Sequence, residues 1–128
     1  MKPDITTRKD IKFIMTSFYD KLLADKDMFP FFKEMVEEDT LEHHLEIITD
    51  FWEDLLLQTY KYKNNPMKKH LDFQKKMDFE KKHFNLWLNY LLETITTNFE
   101  GETAHSMKTR ANSIAMVMQM KMGLYSDS

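Results

Sequence analysis

Apolar residues recur every three or four positions along most of the chain, which is the spacing of a helix with one buried face. The first such stretch predicts a helix over about Thr7 to Ala24, in which Thr7 and Asp10 form a capping box. The remaining stretches predict helices over about Thr40 to Leu57, Pro66 to Phe73, Phe79 to Phe99 and Glu102 to Met122. The pattern therefore indicates a bundle of helices.

Residues typical of helix ends lie between these stretches. Pro30 stands among three phenylalanines, where it either interrupts a helix or opens a short one. Asp39 and Glu42 have the spacing of a second capping box. Asn65 precedes a proline, as an N-cap would, and Gly101 breaks the chain before the last helix. Each predicted helix thus has a local signal at one of its ends.

The composition supports this assignment. The 128 residues include only two glycines and three prolines, whereas β-sandwiches, barrels and glycine-rich phosphate loops need many more turn residues. A chain of this length builds one hydrophobic core. We therefore expect an all-α fold in a single domain over residues 1–128.

Charge and cysteine content exclude several classes of function. The net charge of −3 gives no reason to expect a nucleic acid or an anionic membrane as partner. The absence of cysteine excludes disulfide scaffolds and thiolate chemistry. The first residues lack the apolar run of a secretory signal, and no stretch reaches the ~18 consecutive apolar residues of a membrane span. We expect a cytoplasmic protein.

Two histidines lie on helices that a loop would allow to face each other. His44 is on the apolar face of the Thr40–Leu57 helix, and His70 is in the second turn of the next one. A single histidine in such a place is more often a core residue than a ligand, and a pair on two helices joined by a loop raises the case for a ligand modestly. Neutral imidazole binds metals, and a haem iron needs one axial histidine. The surplus of methionine and aromatic residues could line a flat apolar group.

Other candidate residues have simpler explanations. Tyr19 and Trp87 carry polar groups that usually find hydrogen-bond partners when buried, but packing alone explains such residues more often. Glu80 and His83 have the E-x-x-H spacing of di-iron carboxylate bundles. No second copy of this motif occurs, and Glu46 and Glu93 are weak candidates for the further carboxylates, so a solvated helix start is the better interpretation.

Several segments, in order and at similar spacing over nearly the whole chain, resemble the truncated haemoglobins of the third group, which are short bacterial globins. The matching segments are Phe18-Tyr19-Asp20-Lys21, Phe29-Pro30-Phe31-Phe32, His44 with Phe51-Trp52, Pro66-Met67-Lys68-Lys69-His70-Leu71, Phe84-Asn85-Leu86-Trp87-Leu88, and Arg110-Ala111 with Ile114-Ala115. The resemblance implies a globin-like fold, the truncated two-over-two helical sandwich, and haem b as cofactor.

The resemblance also implies a role for individual residues. His70 matches the proximal histidine that ligates iron, while Tyr19 and Trp87 match distal hydrogen-bond donors to a ligand on that iron. His44 matches the distal histidine, which gates the pocket. The haem contacts implied are Phe31, Phe32, Ile48, Phe51, Trp52, Lys69 and Phe79.

The implied function is binding of O₂, NO, CO or cyanide. Two distal donors would hold O₂ too tightly for delivery, which favours NO dioxygenase-like or peroxidase-like chemistry, or sensing, with an unidentified reductase and a monomeric state. Three alternatives stay open: a di-iron carboxylate bundle, a haem-free helical interaction module, and a six-coordinate haem protein for electron transfer or sensing in which His44 also ligates iron.

Overall fold

A computed structural model of the chain describes residues 2–57 and 80–121, and all regular elements within these residues are α-helices. They are α1 (Arg8–Ala24), α2 (Phe29–Glu37), α3 (Leu41–Leu57), α4 (Lys81–Asn98) and α5 (Glu102–Lys121). The all-α prediction is confirmed. Pro30 opens a short helix, because it lies in the first turn of α2. None of the described helices is long and apolar enough to cross a membrane.

The capping box predicted at the start of α1 is confirmed. The Thr7 hydroxyl accepts the Asp10 N–H at 3.3 Å, and the Asp10 carboxylate accepts the Thr7 N–H at 3.2 Å. Two amide groups that the helix itself leaves unpaired are thereby satisfied. The entry of the chain into α1 is therefore determined locally.

The capping box predicted from Asp39 and Glu42 is wrong. Asp39 has a φ of 57° and lies just beyond the end of α2, where its N–H bonds the Val36 carbonyl at 3.3 Å. The Thr40 N–H bonds the Met35 carbonyl at 2.9 Å, which completes the left-handed turn that commonly ends a helix. Aspartate tolerates this conformation better than most residues, so Asp39 ends one helix and does not cap the next.

The helices form two packed pairs, which matches the expected two-over-two sandwich. Helix α1 packs against α2, α3 and α4, helix α4 packs against α5, and α3 also touches α5. The predicted apolar stripes face this interior. Buried residues from the four long helices are Ile11, Ile14, Met15, Phe18, Leu22, Leu45, Ile48, Trp52, Phe84, Trp87, Leu91, Ile95, Met107, Ala111, Ile114, Ala115 and Met118.

The N-terminal segment caps α5. The Asp4 carboxylate accepts the N–H groups of Thr103 at 3.0 Å and Ala104 at 2.8 Å, so a residue before α1 supplies the negative charge that a helix start favours. Gly101 makes the approach possible, because its φ is 137° and a Cβ there would lie 2.5 Å from the Asp4 Cγ. The segment before α1 is thereby held against the start of the last helix.

Candidate functional site

A hydrogen bond between Tyr19 and His44 joins α1 to α3. The Tyr19 hydroxyl oxygen lies 2.7 Å from the His44 Nε2. Tyr19 is on the flank of the apolar stripe of α1, and His44 is one turn before Ile48 on α3, so packing of the two helices brings the side chains together. A neutral imidazole has one donor and one acceptor nitrogen, and the direction of this bond therefore depends on which nitrogen carries the proton.

Burial keeps both partners uncharged at neutral pH. Tyr19 is 5% exposed, and burial raises the pKa of its phenol. Burial, with a smaller contribution from the neighbouring His43, lowers the pKa of His44 from 6.5 to about 4. The pair is therefore a phenol and a neutral imidazole, each able to donate or accept one proton.

Aromatic rings surround this pair. Phe18 packs edge-on against Tyr19 at 5.4 Å between ring centroids and against Trp87 at 5.8 Å, and Phe32 packs edge-on against Tyr19 at 5.5 Å. Trp87 is only 8% exposed, and its indole N–H is a hydrogen-bond donor. Trp87 therefore brings a second possible donor, besides the Tyr19 hydroxyl, to this group of rings.

A small cavity lies between these rings. Its volume is about 10 Å³, roughly the room that one water-sized molecule needs. It is lined by Met15, Phe18, Tyr19, Ile48, Phe51, Trp52, Trp87 and Ile114. Three members of this lining, Tyr19, Trp52 and Trp87, carry a side-chain N–H or O–H, so the cavity is apolar with donors at particular points. Such a site suits a small, weakly polar guest.

The structure brings together most of the predicted site residues that it describes. Tyr19, Trp87, Ile48, Phe51 and Trp52 share the cavity, and His44 joins it through Tyr19. Phe32 contacts Tyr19, whereas its neighbour Phe31 packs on His83 with ring centroids 4.5 Å apart. His70, Lys69, Phe79 and the predicted Pro66–Phe73 helix lie outside the described residues.

Sequence reasoning missed three residues that line the cavity, namely Met15, Phe18 and Ile114. Each belongs to a stripe that periodicity assigned to the core. Met15 lies four residues before Tyr19 on α1, and Phe18 lies directly before it. This proximity to Tyr19 could have identified both as residues of the cavity. The core and the wall of the cavity are the same surface here, so periodicity alone cannot separate them.

The carboxylates considered for a di-iron centre do not converge. Glu46 bonds Arg8 at 2.7 Å on the α1–α3 seam, whereas Glu93 bonds Lys21 at 2.8 Å between α1 and α4. The described residues contain no group of three or more possible ligands of the His, Cys, Asp or Glu type. These carboxylates serve as partners of basic side chains.

The expectation that the Glu80–His83 segment is solvated is wrong for His83. This side chain is 6% exposed, and its Nδ1 accepts the Glu80 N–H at 2.9 Å at the start of α4. Its contact with Phe31 ties the start of α4 to α2. His83 therefore acts as a buried helix-capping residue, and burial lowers its pKa.

The lowered pKa of His44 predicts a stability that depends on pH. The unfolded chain binds a proton at this residue near pH 6.5 and the folded chain only near pH 4, so the unfolded state gains protons first. The stabilisation is complete above about pH 6.5 and is lost as the pH falls toward about 4. At 1.36 kcal/mol per pKa unit, the free energy of unfolding should fall by up to about 3 kcal/mol.

Urea unfolding across this pH range measures the effect, and His44→Gln is the matched variant. This variant should show a clearly smaller slope, with a residual slope of the same sign from His83, whose pKa is also lowered. An unchanged slope in His44→Gln would mean that His44 is not held neutral by the fold.

Comparison with known proteins shows what the whole chain is similar to. No protein-family model matches the sequence. The group 3 truncated haemoglobin ctb of Campylobacter jejuni is 31% identical over 122 residues, which cover 93% of each chain. The crystal structure of a group III truncated haemoglobin from Campylobacter jejuni superposes with a TM-score of 0.82 at 29% identity, covering 100% of this chain and 98% of the other. The likeness thus extends over the whole length in both sequence and fold.

Proposed function

The chain belongs to the group 3 truncated haemoglobins, and from this premise we propose that it holds haem b through His70 and binds O₂ and other small diatomic ligands beside Tyr19 and Trp87. The observation that carries the proposal is the apolar cavity of α1, α3, α4 and α5, with the Tyr19 hydroxyl and the Trp87 indole at its wall. In this arrangement polar donors meet a small guest in largely apolar surroundings.

The described residues fit one face of a haem. A porphyrin is flat and apolar, and Ile48, Phe51 and Trp52 present an apolar wall on α3 next to the cavity. The lining offers donors and no charged group, namely the phenol of Tyr19 and the indoles of Trp52 and Trp87, and this suits a ligand of partial negative charge. We further propose that His70 ligates the iron and that Lys69 contacts a propionate.

Haem supplies an iron whose sixth position takes a diatomic ligand. Tyr19 then has two possible acceptors for its single proton, the His44 Nε2 and the ligand. If His44 carries its proton on Nε2, it donates to the Tyr19 oxygen, and the Tyr19 O–H is free for the ligand. Trp87 donates its N–H independently. The tautomer of His44 therefore determines whether the Tyr19 O–H points to His44 or to the ligand.

Tight retention of the ligand follows from two such donors. At ~1–1.5 kcal/mol for each net hydrogen bond, two of them slow dissociation by about one to two orders of magnitude. A protein with this property delivers O₂ poorly. We infer NO dioxygenase-like or peroxidase-like turnover, or sensing, and turnover would require electrons from a reductase.

The absorption spectrum of the purified protein tests the proposal. We expect a Soret band in the ferric and ferrous states, a shift on addition of CO, and one iron per chain. Two irons per chain without a Soret band would indicate the di-iron bundle, and a colourless protein after expression with haem precursor would indicate a haem-free module. Either result overturns the proposal.

The ferrous spectrum without added ligand tests the six-coordinate alternative. In the structure the His44 Nε2 is bonded to Tyr19, which favours an open sixth position. We therefore expect a high-spin ferrous spectrum. A low-spin spectrum that disappears in His44→Leu would instead show that His44 ligates the iron.

A further inference from the structure

Four acidic residues of α3 meet two basic residues of α1 along one seam. Lys12 is one turn after Arg8 on α1, and both face the carboxylates, which are Glu42, Glu46, Asp50 and Glu53. Arg8 contacts the later carboxylates of α3, up to Glu53, and Lys12 contacts the earlier ones, down to Glu42. We call this set of six residues the α1–α3 ion ladder.

Arg8 holds three of the four carboxylates. Its Nη2 lies 2.7 Å from Glu46, and its Nη1 bonds both Asp50 and Glu53, the latter at 2.8 Å. Glu53 is 5% exposed, so this contact supplies a cation to a carboxylate that has lost most of its water. Lys12 bonds Glu42 at 2.8 Å and also Glu46. The planar guanidinium can bridge three acids at once, which a lysine ammonium cannot do in a fixed plane.

The ladder is not explained by the stability of either helix alone. Carboxylates three or four residues apart repel each other on α3. Arg8 is the first residue of α1, where the helix dipole disfavours a positive charge. The ion pairs between the helices offset the repulsion of the carboxylates and the unfavourable position of Arg8 once α1 and α3 lie side by side. The charges therefore select one alignment of α3 along α1.

That alignment also sets the Tyr19–His44 contact, because Tyr19 is on α1 and His44 lies between Glu42 and Glu46 on α3. A slide of α3 by two residues' rise, about 3 Å, at right angles to the 2.7 Å oxygen–nitrogen contact lengthens it to about 4 Å, which is beyond hydrogen-bond range. We propose that Arg8 is a positioning residue for the distal pocket, which keeps His44 in hydrogen-bond reach of Tyr19 by fixing α3 along α1. The inference rests on the proposed function, since that hydrogen bond orients the donor to a ligand.

The experiment compares Arg8→Gln with Lys21→Gln in the haem-loaded protein. Lys21 also bonds an acid of another helix, Glu93 on α4, but it does not touch α3. The infrared C–O stretching band of the CO complex reports hydrogen bonding to the ligand. We expect Arg8→Gln to shift or split this band and to change the CO association rate at least about threefold. Lys21→Gln should change neither, and Arg8→Lys should restore part of the wild-type band.

The same substitution made in the His44→Leu protein distinguishes a positioning role of Arg8 from general destabilisation. If Arg8 acts through His44, the effect of Arg8→Gln on the band and the rate should vanish in the His44→Leu protein. The same effect in both backgrounds, or none in either, overturns the inference. The ¹⁵N shifts of the His44 ring give a readout independent of the ligand, and Arg8→Gln should move them toward those of a solvent-exposed imidazole. Unchanged shifts also count against the inference.

The proposed function can fail separately. If wild-type protein contains no haem, the proposed function is wrong, and the histidine ¹⁵N shifts still test whether Arg8 positions His44. If all variants bind haem equally but Arg8→Gln has the wild-type band, rate and ring shifts, the proposed function stands and the role of Arg8 is wrong.

Discussion

Replacement of His70 by alanine is expected to give a protein that purifies without haem and shows no Soret band. We propose His70 as the sole ligand that the protein supplies to the iron, so its loss would remove the bond that anchors the haem. External imidazole should restore part of the band by binding iron where the side chain was. Absorbance and iron content per chain measure both effects.

His83→Ala is the matched control, because His83 is a further histidine with the spacing of a metal ligand in the sequence. In the structure its Nδ1 accepts the Glu80 N–H, and its ring packs on Phe31. The variant should lose stability at the start of α4, by about 1 kcal/mol as for other lost caps, but keep haem. Retention of haem by His70→Ala together with its loss in folded His83→Ala would contradict the assignment.

The helices could be predicted because their signals are local. The stripe of α1 at three- and four-residue spacing, Thr7 with Asp10 and Pro30 each act within one or two turns of the chain. Asp39 shows where such reasoning stops. Aspartate is favourable both as a helix N-cap and in a left-handed turn. Asp39 adopts the left-handed turn because its N–H and that of Thr40 bond the last carbonyls of α2.

The polar members of the candidate site, Tyr19, His44 and Trp87, could be named from the resemblance of the sequence to a family, but their geometry could not be predicted. Tyr19 and His44 lie on separate helices, and only the alignment of α1 along α3 brings their polar atoms to 2.7 Å. That alignment depends on contacts between distant residues such as Arg8 and Glu53, which no local pattern reveals. Ile114 shows the same limit. It lines the cavity from α5, but its position in the helical pattern is that of an ordinary core residue.

Tyr19→Phe is expected to speed O₂ dissociation from the ferrous protein by about tenfold. The change removes one hydroxyl from the cavity wall and leaves the ring contacts with Phe18 and Phe32 in place. A net hydrogen bond of ~1–1.5 kcal/mol corresponds to this factor. Adding Trp87→Phe, which removes the second donor, should bring the total to about one to two orders of magnitude. Stopped-flow replacement of O₂ by CO measures the rates.

Tyr90→Phe provides the control, because it makes the same chemical change on α4 outside the cavity. The Tyr90 hydroxyl bonds the Asp25 carboxylate, so its loss should lower stability by about 1 kcal/mol and leave the O₂ dissociation rate unchanged. Tyr19→Phe also removes the hydrogen bond to His44, and this should alter the rate of O₂ association. The O₂ dissociation rate is therefore the decisive quantity. A wild-type dissociation rate that is already fast, and equal in Tyr19→Phe, would show that Tyr19 donates to His44 and not to the ligand. It would also remove the argument against oxygen delivery.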